Sequence, residues 1–598
     1  MNRPPSEPLR ARLGAFSPAF AVSGLVLAVI FGMLPQPLAR VEQSNFLELA
    51  ASIQDDSFYY LLPAFHFKSK RFFTVDGYSP SYGFEPGYEL LLSAYAIFFD
   101  DFQSFMRGAM TLGLLTHALT SLMIALLVLR AADAQAAPVR WIQYAAAAGA
   151  GSFYLTRGTV LLSSMTCKEN ILASFLLAVL LLLVTQSMPT SERRGRCLAA
   201  LCGFGIAALL LSRVLPTTFA SSVVIAGAAL ARWRNPWSFI TALFVPLALW
   251  SAYALFAFGH VVPTSVRVKV MSEAPWHTSP VAPPWTVLVS LGIDYLRASL
   301  AFAVGVHSQL VIMQKDSALV VLWSRFEFLW IAIGLLALVL VMFTGLGRFV
   351  KAYPSPGKFL RGTGAVVPVL ALLTTVILAM YVVQGGLIAM RRPEELFYYT
   401  WYVYDLPVLV AASMGTATVL GLGFLEGHAN RLITTRTLTA RSLLAVGFWA
   451  VAVIAIVVML AVRVPREYGR IQDLRPYTEF DTQGRGWQHT IIRAGLFLKN
   501  SVTLHGGDRV ACISCGVLGV LLPGHILNID GLASDAAARH LLARPPTLDE
   551  YVLQVRPRYY IDIDIPLLRD PRIHVRALQV FEFVYKGGYL VAELQYEQ

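Results

Sequence analysis

Apolar residues in this chain come in runs of about twenty rather than in alternation. The first run extends from about Phe16 to Leu38. Others follow at roughly 104–129, 141–156, 169–186, 197–211, 214–231, 238–258, 319–344, 365–386, 401–424 and 442–462. About 20 apolar residues in a helix suffice to cross a bilayer. The ten-residue alternation of a membrane barrel is missing. The pattern therefore predicts about eleven transmembrane helices. The first run follows Arg3, Arg10 and Arg12, a start that also fits a signal peptide. The number of later runs favours an uncleaved first helix.

Two stretches depart from this pattern. Residues 39–100 are mixed in character and form a long loop after the first span. Within it, Tyr88 to Phe99 is apolar but short, which suits an interfacial or re-entrant helix. Residues 286–318 carry Asp294, Arg297, His307, Lys315 and Asp316 and are expected outside the bilayer.

The tail, 463–598, is polar with short apolar runs. Strands are expected at Arg509–Ser514, Ile526–Asp530 and Arg558–Asp564, helices over about 534–543 and 547–555, and a closing strand pair within 573–596. Strands alternating with helices predict a small α/β domain. The expected division is a transmembrane domain over 1–462 and an extracytoplasmic α/β domain over 463–598.

Composition sharpens the class. The chain is 56% hydrophobic and 14% charged, and its mean hydropathy is +0.60. That balance excludes an ordinary soluble protein. The net charge of +12 comes from dispersed basic residues, which argues against a nucleic-acid partner. With a cytoplasmic N-terminus, the cytoplasmic loops carry Arg130/Arg140, Arg193/Arg194/Arg196, Arg232/Arg234, Arg348/Lys351/Lys358/Arg361 and Arg431/Arg436/Arg441. Every one is positive, as cytoplasmic loops usually are. An odd number of spans then puts the tail, and the 39–100 loop, on the far face. Five cysteines are too few for a disulfide framework.

The far-face loop holds Asp55 and Asp56, adjacent carboxylates a few residues past the first span. Charges are costly in hydrocarbon, so the pair belongs at the boundary with water. A neighbouring carboxylate and a partly apolar site raise one pKa of such a pair, making a better base. The structural alternative is that the two acids favour the start of a helix near Ser57.

Three elements of this loop are Asp55-Asp56-Ser57-Phe58-Tyr59-Tyr60-Leu61, Thr74-Val75-Asp76-Gly77 and Tyr82-Gly83-Phe84-Glu85-Pro86. Together they resemble the first extracytoplasmic loop of the GT-C glycosyltransferase superfamily, in particular a bacterial group with an Asp-Asp-aromatic-Tyr-Tyr-Leu motif. Asn528-Ile529-Asp530-Gly531-Leu532-Ala533-Ser534 resembles an Asn-Leu-Asp-Gly-Leu-Val-Asn element in that group's C-terminal domain. Met165-Thr166-Cys167-Lys168-Glu169 lies where the group often has Gly-Met-Glu. Two elements depart. Ser81-Tyr82-Gly83 replaces the usual Thr-Asn-Gly, and Glu85-Pro86-Gly87-Tyr88 replaces His-Pro-Leu-Trp.

The resemblance implies a polytopic enzyme of the bacterial inner membrane with a GT-C-like fold. It implies transfer of a sugar from a polyprenyl-phosphate donor to a glycan, lipid or protein acceptor on the extracytoplasmic face, with inversion. Asp55 is the first expected base and Asp56 the second. A divalent ion, Mg²⁺ or Mn²⁺, could take oxygen ligands from Asp55, Asp56 and Glu169. The leaving phosphate needs positive charge. Arg391 and Arg392 at a far-face helix end, Arg213 between two short spans, and Lys168 beside Glu169 are the candidates.

Asp76 either contacts substrate or makes a turn with Gly77. His66, with Lys68, Lys70 and Arg71, either meets anionic lipid headgroups and substrate or forms a solvated face. Cys512 and Cys515 are expected as buried thiols rather than a disulfide, since residues three apart on a strand face opposite ways. Two other functions fit a polytopic chain, a lipid or glycolipid transporter and a non-catalytic subunit of envelope assembly. The charges cluster on one side rather than at mid-membrane, and no repeated halves are visible, which weighs against a transporter.

Overall fold

The computed structural model describes residues 18–133, 140–186, 191–232, 236–271, 285–303, 366–389, 403–433, 487–531, 534–543, 548–563, 570–582 and 588–597. The expected spans at 319–344 and 442–462, and Arg391 and Arg392, lie outside these residues.

The chain is a multi-pass, mostly helical membrane protein. Among the described residues five helices are long and apolar enough to cross a bilayer, Val22–Gln43, Phe102–Ala132, Glu192–Ser212, Pro236–Phe258 and Val366–Gly385. Asn170–Val184 and Asp405–Leu420 are shorter apolar helices. The expected spans at 141–156 and 214–231 appear as the helices Arg140–Leu155 and Pro216–Arg232, of 16 and 17 residues. Residues 285–303, expected outside the bilayer, form a helix (Trp285–Ala303) that lies along Val366–Ala389.

Small residues set the closest helix contacts, as is usual where lipid supplies no hydrophobic drive between helices. At Gly203, in the Glu192–Ser212 helix, a Cβ would run into the backbone carbonyl of Phe239 in the Pro236–Phe258 helix. Large apolar side chains such as Phe31, Phe219, Leu249 and Phe256 point outward, where a lipid-facing surface would lie.

The loop after the first span is built from short helices. Phe46–Ser52 starts with a capping box between Asn45 and Glu48. Asp55–Lys70 ends at Arg71 in the left-handed region, φ 64°. Pro86–Ala96 begins with Pro at its first turn.

The tail carries a five-stranded mixed sheet, β1 Val510–Cys512, β2 Ile526–Asn528, β3 Tyr559–Ile563, β4 Ile573–Glu582 and β5 Gly588–Tyr596, in the order β2-β1-β3-β5-β4. β1 pairs in parallel with β2 and β3. β5 runs antiparallel to β3 and β4, with an irregularity between Ala577 and Gln579.

The two-residue period of the strands divides the sheet cleanly. Ala511, Leu527, Tyr560, Leu590 and Ala592 face a small core with the Asp535–Leu541 and Leu548–Val555 helices. Val510, Cys512, Ile526, Tyr559, Ile561 and Val591 face the other way, into the core that continues through the membrane helices. One face of the tail's sheet is thus part of the main core. A second tie comes from the end of the Pro236–Phe258 helix. There His260 lies 3.5 Å from Asp535, and Thr264 donates to the same carboxylate.

Candidate active site beside the first-loop helix

Asp55 and Asp56 occupy the first turn of the Asp55–Lys70 helix. Successive helical residues point about 100° apart, so the two acids have different surroundings. Asp55 is 7% exposed. Its carboxylate accepts the N–H of Gly516 at 3.0 Å and of Val517 at 2.9 Å, the first amides of the Gly516–Leu521 helix. Burial pushes the Asp55 carboxyl up to about 7. Those two N–H groups oppose the shift, and Asp56 and Asp562 add to it. Asp55, the first expected base, therefore holds the start of the Gly516–Leu521 helix in the tail and has both oxygens engaged there.

Asp56 is the open acid, with its side chain 53% exposed. Lys168 Nζ lies 3.3 Å from its Oδ2, on a side chain only 5% exposed. The same ammonium donates to Gln54 Oε1. Lys168 reaches this point from a turn before the Asn170–Val184 helix, where Cys167 takes a left-handed φ of 54°. For a non-glycine residue that conformation is strained and needs support from its surroundings.

Behind this pair, Glu169 at the N-cap of the Asn170–Val184 helix makes a salt bridge with Arg213, the C-cap of the Glu192–Ser212 helix. Their side chains are 3% and 2% exposed. Four residues after Asp56, Tyr60 lies one helical turn along the same face and donates to Glu85. Burial and then Glu85 push the Tyr60 hydroxyl up, while Arg213 acts the other way. Tyr404, at the start of the Asp405–Ile433 helix and within range of the Arg213 charge, donates to Thr218 at 2.8 Å. Asp56, Lys168, Gln54, Glu169, Arg213, Tyr60 and Glu85 thus form one polar cluster at the ends of several helices. Its outer member is an accessible carboxylate, and two cations stand behind it.

Gln54 carries no mark in the sequence, and Tyr60 and Glu85 stand there only as members of the first-loop motifs, with no role of their own. The spacing of Tyr60 from Asp56 and the position of Glu85 before a helix-starting Pro86 were the available signals.

Other expected site residues lie elsewhere. Asp76 organises a turn, its Oδ1 accepting from Thr74 Oγ1 at 2.9 Å and from the N–H groups of Tyr78 and Ser79 at 2.8 Å. His66 Nδ1 bonds the Thr74 carbonyl at 2.8 Å, and burial lowers its pKa. Lys68 donates to the Phe99 carbonyl at 2.6 Å.

Asp55, Asp56 and Glu169 do not come together around a cation. Asp55 faces two amides and Glu169 faces Arg213. Among the described residues no group of three or more His, Cys, Asp or Glu could hold a metal ion. Cys512 and Cys515 are joined in a disulfide, contrary to expectation, with Cα atoms 5.5 Å apart. The strand ends at Cys512 and the chain bends through Ile513 and Ser514, so the extended geometry behind that expectation does not apply. In the Asn528–Ser534 element, Asn528 donates to the Ile513 carbonyl at 3.3 Å and Ser534 caps the Asp535–Leu541 helix.

No family model matches the chain, and no curated protein matches it. Solved structures do. The oligosaccharyltransferase of Archaeoglobus fulgidus in the apo form has a TM-score of 0.48 at 11% identity, over 92% of this chain and 70% of that one. ArnT from Cupriavidus metallidurans in the apo state has a TM-score of 0.45 at 12% identity, over 90% of this chain and 93% of that one. The Archaeoglobus fulgidus oligosaccharyltransferase AglB, in complex with an inhibitory peptide and a dolichol-phosphate, has a TM-score of 0.45 at 11% identity, over 93% and 70%. Each of these likenesses extends over about nine-tenths of this chain at 11–12% identity.

Proposed function

We propose that this chain is an integral membrane glycosyltransferase that moves a sugar from a polyprenyl-phosphate donor to an acceptor hydroxyl on the extracytoplasmic face. The observation that carries the reading is the accessible Asp56 carboxylate, held 3.3 Å from Lys168 in front of the buried Arg213–Glu169 pair. Transfer from a phosphate ester needs a base for the nucleophile and cations for the leaving group. This cluster offers both within one helix-end junction. The first-loop motifs that resemble the GT-C pattern agree with that use.

In the proposed reaction the Asp56 carboxylate takes the proton of the acceptor hydroxyl. The hydroxyl oxygen forms a bond to the anomeric carbon as the bond from that carbon to the phosphate oxygen breaks. The electron pair leaves with the polyprenyl phosphate, and the anomeric centre inverts. A positioned base contributes roughly 10²–10⁴-fold. Lys168 and Arg213 stabilise the charge that develops on the phosphate, where charge-assisted hydrogen bonds act most strongly. In the resting site Lys168 neutralises Asp56. A phosphate competing for that ammonium releases the carboxylate to act as base. Tyr60 and Glu85 border the same space and orient the sugar or acceptor.

The test is transfer of labelled sugar in proteoliposomes, from a panel of polyprenyl-phosphate-linked hexoses and pentoses to added lipid, glycan and peptide acceptors. The reading expects turnover with at least one donor. Movement of lipid across the bilayer, with no transfer from any donor, would replace it with a transporter.

A further inference from the structure

We propose that the disulfide-closed Cys512–Cys515 loop positions the Asp56 carboxylate, acting through Asp55 and Tyr59. The catalytic consequence rests on the glycosyl-transfer reading, and the mechanical coupling can be tested without it.

The Asp55–Lys70 helix lacks a local cap. Gln54 stands at its N-cap and makes no side-chain capping bond. The first turn of a helix has free amides and frays unless something holds it. Here it is held by a segment about 460 residues away in sequence. Asp55 accepts from Gly516 and Val517. The Tyr59 hydroxyl, one turn on, donates to the Ile513 carbonyl at 3.0 Å and accepts from the Cys515 N–H at 3.1 Å. Four hydrogen bonds thus fasten the first turn and the next to residues 513–517, two within the disulfide loop and two to the helix amides that directly follow it.

The loop is itself braced. The disulfide ties its ends. The Asp562 carboxylate, on β3, accepts from the Ile513 and Ser514 amides at 2.6 and 2.7 Å. Asn528, at the end of β2, donates to the Ile513 carbonyl. The fit is tight, since a Cβ added to Gly516 would lie 2.6 Å from the Asp55 Oδ1 and would collide with the Asp55 carbonyl.

Asp55 and Asp56 share a peptide unit. Fixing the side chain and backbone of Asp55 therefore sets the direction in which Asp56 leaves the helix. Productive geometry tolerates displacements of about 0.5 Å, and a 1 Å misplacement can cost about 10²-fold. The segment's hydrogen bonds go to Asp55 and Tyr59, on the helix that carries Asp56, so its effect is on placement of the base. In these terms Cys512, Cys515, Gly516, Asp55 and Tyr59 are positioning residues.

The experiment uses the full chain in nanodiscs, in three forms besides wild type, namely Cys512→Ser with Cys515→Ser, Gly516→Ala, and wild type treated with a phosphine reductant. The other cysteines, Cys167, Cys197 and Cys202, are free, so among the described residues reduction acts on this disulfide. Hydrogen exchange is followed in two segments, 513–518 and 54–60. Opening the loop is expected to speed exchange in both. With the polyprenyl-phosphate sugar that turns over, kcat is expected to fall about 10–100-fold, with KM for that donor within about twofold. Faster exchange confined to 513–518 would overturn the proposal. So would an unchanged kcat, or a fall in kcat that only tracks loss of folded protein. If Asp56→Asn itself leaves transfer unchanged, the glycosyl-transfer reading fails, while the exchange result still decides the coupling.

Discussion

The buried Arg213–Glu169 pair separates stability from chemistry. Both side chains are almost fully withdrawn from water, at 2% and 3% exposure. Replacing Arg213 by Met leaves Glu169 buried without its cation, and losing one partner of such a pair costs about 3–5 kcal/mol. Replacing both, Arg213→Met with Glu169→Met, removes the desolvation penalty of two charges along with their attraction. Buried pairs exchanged for apolar residues of similar volume are often neutral, or more stable by about 1–4 kcal/mol. The expected order of unfolding midpoints is therefore the double variant at or above wild type, with Arg213→Met well below both.

Transfer should follow a different order. A guanidinium hydrogen bond to a charged group is worth about 1.5–3 kcal/mol, which corresponds to roughly 10–100-fold in kcat/KM. The double variant should then be stable yet slow. Denaturant midpoints in detergent micelles and transfer rates in proteoliposomes, measured on the same preparations, check both orders. A double variant as active as wild type would refute a phosphate role for Arg213. A single variant as stable as wild type would refute the burial argument.

Two further outcomes follow from the loop. The Asp55 carboxyl is raised from 3.8 to about 7, chiefly by burial. Between about pH 4 and pH 7 the folded state therefore binds more protons at this group than the unfolded chain does. This contribution to stability is complete below about pH 4 and declines as the pH rises to about 7. Asp55→Asn should remove that part of the dependence, and unfolding midpoints at about pH 4.5 and pH 7.5 test it. Parallel pH profiles for the two proteins would contradict the assignment. Asp76→Ala removes three hydrogen bonds to one oxygen, at about 1 kcal/mol each. Stability should fall by about 2–3 kcal/mol with donor KM unchanged, and a large rise in KM would instead place Asp76 against the donor.

Much of this arrangement is legible in the chain because it depends on local pattern. Apolar runs of membrane length mark Phe102–Ala132, Pro236–Phe258 and Val366–Gly385. Short β-rich segments with turn residues mark β1, β2 and β3. The adjacent acids, Lys168 and Arg213 stand out because charge is sparse in such a sequence.

What the pattern does not contain is which of two neighbouring acids faces water. Asp55 and Asp56 are alike locally, and the choice is made by amides of Gly516 and Val517 from the other end of the chain. The Glu169–Arg213 pair depends likewise on how two helix ends pack. The disulfide depends on a bend of the chain after Cys512, which the strand-like pattern of residues 509–514 does not show. The helix Trp285–Ala303 was hidden by Asp294 and Arg297, charges that lowered its apolar character without breaking its helical period.

The central claim is that Asp56 is the base. The most direct measurement is single-turnover transfer from a polyprenyl-phosphate sugar by wild type and Asp56→Asn, with binding of the same donor measured alongside. Asn keeps the shape and removes the proton acceptor. The account predicts a loss of roughly 10²–10⁴-fold in the transfer step with donor binding retained. Transfer by Asp56→Asn within a few-fold of wild type would contradict it.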